Sequence, residues 1–155
     1  MASANLDSTW ISGHALIPQY PRDLSRIEHS ITGASVTLIS GETAYFHIPL
    51  PTPTIIKGQR SQLHTVYLLY SGVQCTIGEL FVRDGETLVQ VFDGLALSLR
   101  GQHLGAPDAA NTFQLASPHE MKVAVGLSFS VIADSVVGLP QPQIVVEAAG
   151  GDFMT

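Results

Sequence analysis

The chain has 155 residues, of which 45% are hydrophobic and only 13% are charged, and its formal net charge is −6. This length allows one sizeable core, and the composition excludes a disordered chain or a charged coiled coil. The seven basic residues are scattered along the chain, so we expect no surface for nucleic acid or for an anionic membrane.

Alternation of large apolar residues with small or polar ones predicts about nine short strands. In chain order they are expected at residues 10–16, 35–40, 44–48, 63–70, 76–82, 87–92, 96–99, 123–131 and 144–148. Residues 1–9 are expected to form a flexible N-terminal segment. Residues 22–29 offer the one helical turn, with Asp23 placed to stabilise its start.

Three prolines in five residues, Pro49-Leu-Pro51-Thr-Pro53, remove backbone amides that a central strand would need. We therefore expect a loop or a sheet edge here. A rigid proline-rich loop over residues 49–58 could also be a docking edge for a protein partner.

Asp84-Gly85 lies between two apolar runs and predicts a β-hairpin, because both residues tolerate the positive φ of a tight turn. Within the first strand of this hairpin, Glu79 has the same parity as Ile77 and Phe81. The three side chains are therefore expected on one face of the sheet. If that face is buried, the Glu79 carboxyl is a candidate general acid or base.

The most regular strand pattern is at residues 123–131. Large residues alternate there with small ones, which are Ala124, Gly126, Ser128 and Ser130. A helix would leave these large residues without a common stripe. One face of the strand is thus expected in the core, and the other is open to solvent or to the close approach of a further layer, a ligand or a second subunit.

Many short strands with neither βαβ alternation nor a repeat predict an antiparallel all-β fold. A jelly-roll-like β-sandwich over residues 1–155 accommodates about nine strands as two packed sheets. A closed β-barrel is the alternative.

A lone cysteine, Cys75, cannot close an internal disulfide, and its apolar neighbours predict a buried thiol. The N-terminus does not resemble a signal peptide, and no apolar run approaches the length of about 18 residues that a membrane helix needs. These features predict a cytoplasmic protein that does not associate with a membrane.

Six histidines could suggest a metal, but none of them is spaced as a ligand pair. They are His14, His29, His47, His64, His103 and His119. We therefore predict no metal site, and no sequence motif indicates a cofactor.

The candidate catalytic residues are Glu79, His64 and Tyr67, and the candidate ligand-binding residues are Trp10 and Tyr70. Tyrosine and tryptophan combine an apolar ring with a polar tip, which suits the wall of a pocket. The small number of aromatic residues does not by itself indicate a polysaccharide platform.

Several segments together resemble a family of small, uncharacterised bacterial β-sandwich proteins. The segments are Trp10 with His14, 46–49 with 51–53 and 58–60, 81–85, 92–94 and 149–153. The resemblance covers most of the chain, and it implies a compact β-sandwich with no assigned activity. It transfers no catalytic residue to this chain.

The function predicted first is non-enzymatic binding of a small apolar ligand or a protein partner, including a second copy of the chain. Abundant apolar strands and the lack of a known catalytic motif support this interpretation. The alternative is a small isomerase, cyclase or lyase whose enclosed pocket holds Glu79, because such chemistry needs only shape and one or two acids.

Overall fold

The computed structural model describes residues 6–94 and 101–155, and they form β-strands joined by turns and loops. The strands are β1 (Leu6–Ser12), β2 (Ile17–Pro18), β3 (Leu24–Ser30), β4 (Gly33–Leu38), β5 (Thr43–Pro49), β6 (Ile55–Ile56), β7 (Gln59–Arg60), β8 (Gln62–Val73), β9 (Cys75–Asp84), β10 (Thr87–Phe92), β11 (Gly101–His103), β12 (Thr112–Glu120), β13 (Val125–Ala133) and β14 (Gln143–Met154). Two single 3-10 turns lie at Gly13–Ala15 and Pro21–Asp23.

The strands form two large antiparallel sheets. The five-stranded sheet has the order β10-β9-β13-β5-β2. The seven-stranded sheet has the order β11-β8-β14-β4-β3, with β1 paired to β14 and β12 paired to β8. A short ribbon of β6 and β7 accompanies them. The predicted all-β antiparallel sandwich is confirmed, and the strand pairing gives two sheets rather than one closed barrel.

The core lies between the inner faces of the two sheets. Leu127, Phe129 and Val131 of β13 are at most 1% exposed, as the alternation predicts, and the Phe129 ring stacks on Phe46 with centroids 5.6 Å apart. Fully burying a side chain of this size contributes about 1.5–3 kcal/mol. The apolar residues of alternating strands therefore hold the two sheets together.

The predicted hairpin is present. Thr87 pairs with Asp84, so Gly85 and Glu86 form a two-residue turn. Gly85 has a φ of 58°, which is the geometry that favours glycine at the first position of such a turn.

The expectation that Ile77, Glu79 and Phe81 share a face is wrong. Phe129 pairs with Leu80 but Val131 pairs with Ile77, so β9 has one residue more than β13 between these pairs. This β-bulge reverses the alternation, because an extra residue turns every following side chain to the other face. Ile77 is accordingly buried in the core, whereas Phe81 lies on the outer face.

Three segments differ from the sequence expectations. Residues 22–29 were expected to give a helical turn, but only a 3-10 turn precedes the strand β3. Residues 6–9, expected to be flexible, belong to β1 and pair with β14. The strand β12 is not predicted at all. The predicted strand at 96–99 lies outside the described residues.

Tertiary pairing explains these differences. β3 is an exposed strand, with burial that follows no alternation, and it is held by its ladder to β4. Likewise β1 is mostly exposed and is ordered by pairing along β14. Neither strand carries a periodic apolar pattern, so the sequence alone favours other assignments.

Candidate functional site

The structure separates the five predicted site residues into four places. Glu79 lies at the β-bulge, where its backbone amide donates to Ser130 Oγ at 2.9 Å. Tyr70 points into the core and is 1% exposed. His64 lies on β8 at a second irregularity of pairing, between Thr65 and Leu63. The structure therefore does not bring Glu79, His64 and Tyr70 together.

Trp10 and Tyr67, in contrast, are brought into contact. Their rings stack with centroids 5.1 Å apart and an angle of 24° between planes. The two residues are far apart in sequence and lie on β1 and β8, which flank β14. Trp10 remains 40% exposed, so much of the indole surface is available on the outside of the seven-stranded sheet.

Register places these rings among polar side chains, because residues paired across antiparallel strands point to the same side of a sheet. One row across four strands is Ser8, Asp152, Thr65 and Gln114. The next row is Trp10, Gly150, Tyr67 and Thr112. We call these eight residues the aromatic face. It combines two aromatic rings with four hydroxyl groups, counting that of Tyr67, and with one amide and one carboxylate.

Asp152 fixes the polar groups of the aromatic face. The Tyr67 hydroxyl donates to Asp152 Oδ2, and the Ser8 hydroxyl donates to Oδ1. Three effects raise the pKa of Tyr67 to about 12. The largest is burial, followed by the hydrogen bond to Asp152 and by the negative charge of Asp152. Tyr67 therefore remains a protonated hydrogen-bond donor at neutral pH, and its ring is held in one orientation.

Gly150 makes room for the indole. A Cβ atom at this position would lie 2.7 Å from Trp10 Cδ2 and 2.7 Å from the Thr9 carbonyl oxygen. The ring of Trp10 thus lies directly over the backbone of β14 and reaches Tyr67 on the far side. Covering a strand glycine with a neighbouring aromatic ring is a known means of stabilising a sheet.

Tyr70 occupies a different environment. Its hydroxyl is buried and has no hydrogen-bond partner in the part of the chain that the structure describes. Its ring contacts the His103 ring at a centroid distance of 5.3 Å. The expectation that Tyr70 binds ligand at a pocket wall gains no support from this position.

The histidines take part in separate local contacts. His14 stacks on His29, and its ring nitrogens contact Ser12 Oγ and the Ser30 carbonyl. His119 contacts the carboxylate of Asp84. Within residues 6–94 and 101–155, no three His, Cys, Asp or Glu side chains are grouped as metal ligands would be.

Asp152, Ser8 and Gly150 escape prediction from sequence. Each becomes part of the aromatic face only through the register of β14 with β1 and β8. The pairing of β1 with β14 brings residues from the two ends of the sequence side by side. No local pattern carries that information. Trp10 and Tyr67 can be suspected individually because of their residue type, but their contact cannot.

A family model described as a family of unknown function, DUF6623, matches residues 5–154. The chain belongs to this family. The resemblance inferred from the sequence to a family without an assigned function is thus confirmed. No curated protein compared with the chain matches it.

One solved structure similar to this DUF6623 chain is a xylan-binding module, CBM15. The sequences are 10% identical, the TM-score is 0.44, and the match covers 99% of this chain and 98% of that chain. In the described parts of the DUF6623 chain, no helix has the length and apolar character to cross a membrane.

Proposed function

We propose that this protein binds a carbohydrate, without transforming it, on the aromatic face of the seven-stranded sheet. The observation that carries the proposal is the exposed stacked pair of Trp10 and Tyr67, flanked by neutral hydroxyl and amide side chains. A sugar ring presents C–H groups on its flat faces and hydroxyl groups around its edge. The aromatic face offers a complementary arrangement of rings and polar groups.

The apolar part of the interaction would come from the indole. Aromatic rings bury a large area and also attract C–H groups weakly through their π faces. Since Trp10 is stacked on Tyr67 and lies over Gly150, its ring is positioned before any ligand arrives. A ligand therefore loses little of its binding free energy to ordering the side chain.

The polar part would come from Thr65, Thr112 and Gln114 on β8 and β12, which lie beside Tyr67 in register. These side chains both donate and accept hydrogen bonds, as sugar hydroxyl groups do. Asp152 is already bonded to Ser8 and Tyr67, so it orients the site. A protein partner would favour a larger apolar surface than these two rows present.

The arrangement of carboxylates supports the proposal of binding without catalysis. A glycosidase commonly uses two carboxyl groups about 5–10 Å apart. Within the two rows Asp152 is the sole carboxylate, and both its oxygens are engaged. Glu79, the acid of the alternative enzymatic hypothesis, belongs to the other sheet.

The test uses Trp10 as the reporter, since the chain contains one tryptophan. The wild-type protein is titrated with soluble neutral polysaccharides of different linkage, with polyethylene glycol of similar size as the control polymer. We expect a saturable change in emission with at least one polysaccharide and none with polyethylene glycol.

Affinity electrophoresis through gels containing the same polysaccharides then compares two matched variants. Trp10→Ala should abolish retardation or weaken it roughly tenfold. Tyr45→Ala removes an aromatic side chain that is also 40% exposed but lies on the five-stranded sheet, and it should leave retardation unchanged. Circular dichroism confirms that both variants fold. Absence of any polysaccharide response, or equal losses in the two variants, would refute the proposal.

A further inference from the structure

A groove crosses the outer face of the five-stranded sheet, on the opposite side of the sandwich from the aromatic face. It consists of two adjoining pockets with volumes of about 260 and 250 Å³. Both pockets are lined by His47, Arg83 and Ser128. We call this feature the sheet groove.

The small residues of β13 create the floor of the sheet groove. Gly126 pairs with Pro49 of β5 and Arg83 of β9, and Ser128 pairs with His47 and Phe81. The larger side chains on β5 and β9 form the two walls, which are about 10 Å apart because β13 lies between them. The small-residue face expected from the sequence is therefore open at Gly126 and Ser128, whereas Ser130 is buried.

Gly126 leaves free space at the centre of the floor. A Cβ atom built at this position meets no other atom within 4 Å. Most of the other lining groups are apolar and include Ile17, Pro49 and Phe81. The sheet groove can thus take a flat apolar body lying along β13.

The charge of the sheet groove indicates which chemical group the ligand carries. Among the described side chains that line the two pockets, Arg83 is the one lysine or arginine, and none is an aspartate or glutamate. One of its guanidinium nitrogens donates to the Glu86 carbonyl at 3.3 Å, which holds the group near the floor while other donors stay available. In a chain of net charge −6, this cation marks a local preference for an anion.

The second polar group of the sheet groove is an imidazole on the β5 wall. His47 Nδ1 lies 2.7 Å from Ser128 Oγ, so the ring is anchored at one nitrogen. Tyr45 lies along the same wall as His47. Aromatic or imidazole rings on one wall and Phe81 on the other suit a planar ligand better than a branched aliphatic one.

We propose that the sheet groove binds a small organic anion with a flat apolar body, such as an aromatic carboxylate or sulfonate. Arg83 pairs with the anionic group, and the apolar body lies over Gly126 between the walls. The site is separate from the aromatic face, so it stands independently of carbohydrate binding.

The experiment compares two fluorescent probes with nearly the same apolar body. 1-Anilinonaphthalene-8-sulfonate carries a negative charge, and N-phenyl-1-naphthylamine does not. We expect the wild-type protein to bind the anionic probe about fivefold more tightly, as for a partly solvated ion pair. Binding should leave carbohydrate affinity unchanged.

Two substitutions test the two halves of the site. Gly126→Val fills the floor at a position with free space, so it should fold normally and weaken binding of both probes roughly tenfold or more. Arg83→Met should remove the preference for the anionic probe and leave the affinity for the neutral probe unchanged. Arg26→Met, which removes an exposed arginine from β3 of the other sheet, is the matched control and should change neither.

Equal wild-type affinities for the two probes would overturn the proposal, as would wild-type binding by Gly126→Val. Light scattering adds a further criterion. A wild-type dimer that Gly126→Val converts to a monomer would assign the groove to a second copy of the chain instead. A monomer in both cases, with the expected probe affinities, supports the anion site.

Discussion

Asp84 is a buried carboxylate whose replacement by asparagine should strongly destabilise the fold. It ends β9 and is 2% exposed. Its Oδ1 accepts hydrogen bonds from the amides of Val123 and Ala124 at 2.8 and 3.0 Å. Its Oδ2 accepts from the amide of Lys122 at 2.7 Å and contacts His119 Nε2 at 3.1 Å. The carboxylate thus anchors the turn that leads into β13.

The magnitude follows from the number of donors. In Asp84→Asn one oxygen becomes an NH2 group, which cannot accept the hydrogen bonds of the amides on its side. At least one backbone amide then faces the new NH2 group without an acceptor, and the remaining contacts lose the negative charge of the carboxylate. Each such unsatisfied group costs about 1–3 kcal/mol, so we expect a loss of about 2–4 kcal/mol in the free energy of unfolding.

Urea denaturation at pH 7, followed by circular dichroism, measures this loss. Asp93→Asn is the control, because Asp93 is exposed, and it should change stability by less than about 0.5 kcal/mol. A loss below about 0.5 kcal/mol in Asp84→Asn would refute the reasoning, since it would mean that the four contacts contribute nothing net.

The same reasoning predicts a dependence on pH. Burial acts to raise the pKa of Asp84, but the hydrogen bonds from residues 122–124 and from His119 outweigh it and lower the pKa. A lowered pKa stabilises the folded state at pH values above the unfolded pKa of about 3.9, and this contribution is lost as the pH falls through the folded pKa. The stability gap between wild type and Asp84→Asn should therefore narrow below about pH 4.

Three further results are expected. Asp152→Asn should lower the pKa of Tyr67 from about 12 towards 10 in an ultraviolet titration, and an unchanged value would contradict the assigned hydrogen bond and charge effect. Tyr70→Phe should raise the free energy of unfolding by about 1 kcal/mol, because it removes a buried hydroxyl group that lacks a partner among the described residues; a loss would show that the hydroxyl is bonded. Gly150→Ala should cost about 1–3 kcal/mol and shift Trp10 emission, since the new methyl group overlaps the indole; unaltered emission would argue against the described packing.

The sequence predicts those parts of the fold that depend on local alternation and turn chemistry. The buried residues of β13 and the hairpin at Gly85 follow directly from such patterns. The exposed strands β1 and β3 and the unpredicted β12 depend on their partners, so local patterns cannot identify them. The sites show the same limit.

Trp10 and Tyr67 are recognisable as candidates by residue type alone. Their contact requires the register of three strands drawn from both ends and the middle of the chain. The small residues at 126 and 128 predict an open face, and the sheet groove lies on that face. Which side chains form its walls depends on the β-bulge at Glu79, which parity alone could not reveal.

The β-bulge in β9 reverses which side chains face the core on either side of it. Gly78 has no space for a side chain, since a Cβ atom there would lie 2.8 Å from Ser130 Oγ and Ile132 Cδ1. Strict alternation through all the residues of β9 would turn Leu80 outward and Phe81 into the core, and the extra residue at the bulge prevents this exchange. The apolar interior and the sheet groove therefore rely on the same break in alternation, which keeps Leu80 in the core and Phe81 on the wall of the groove.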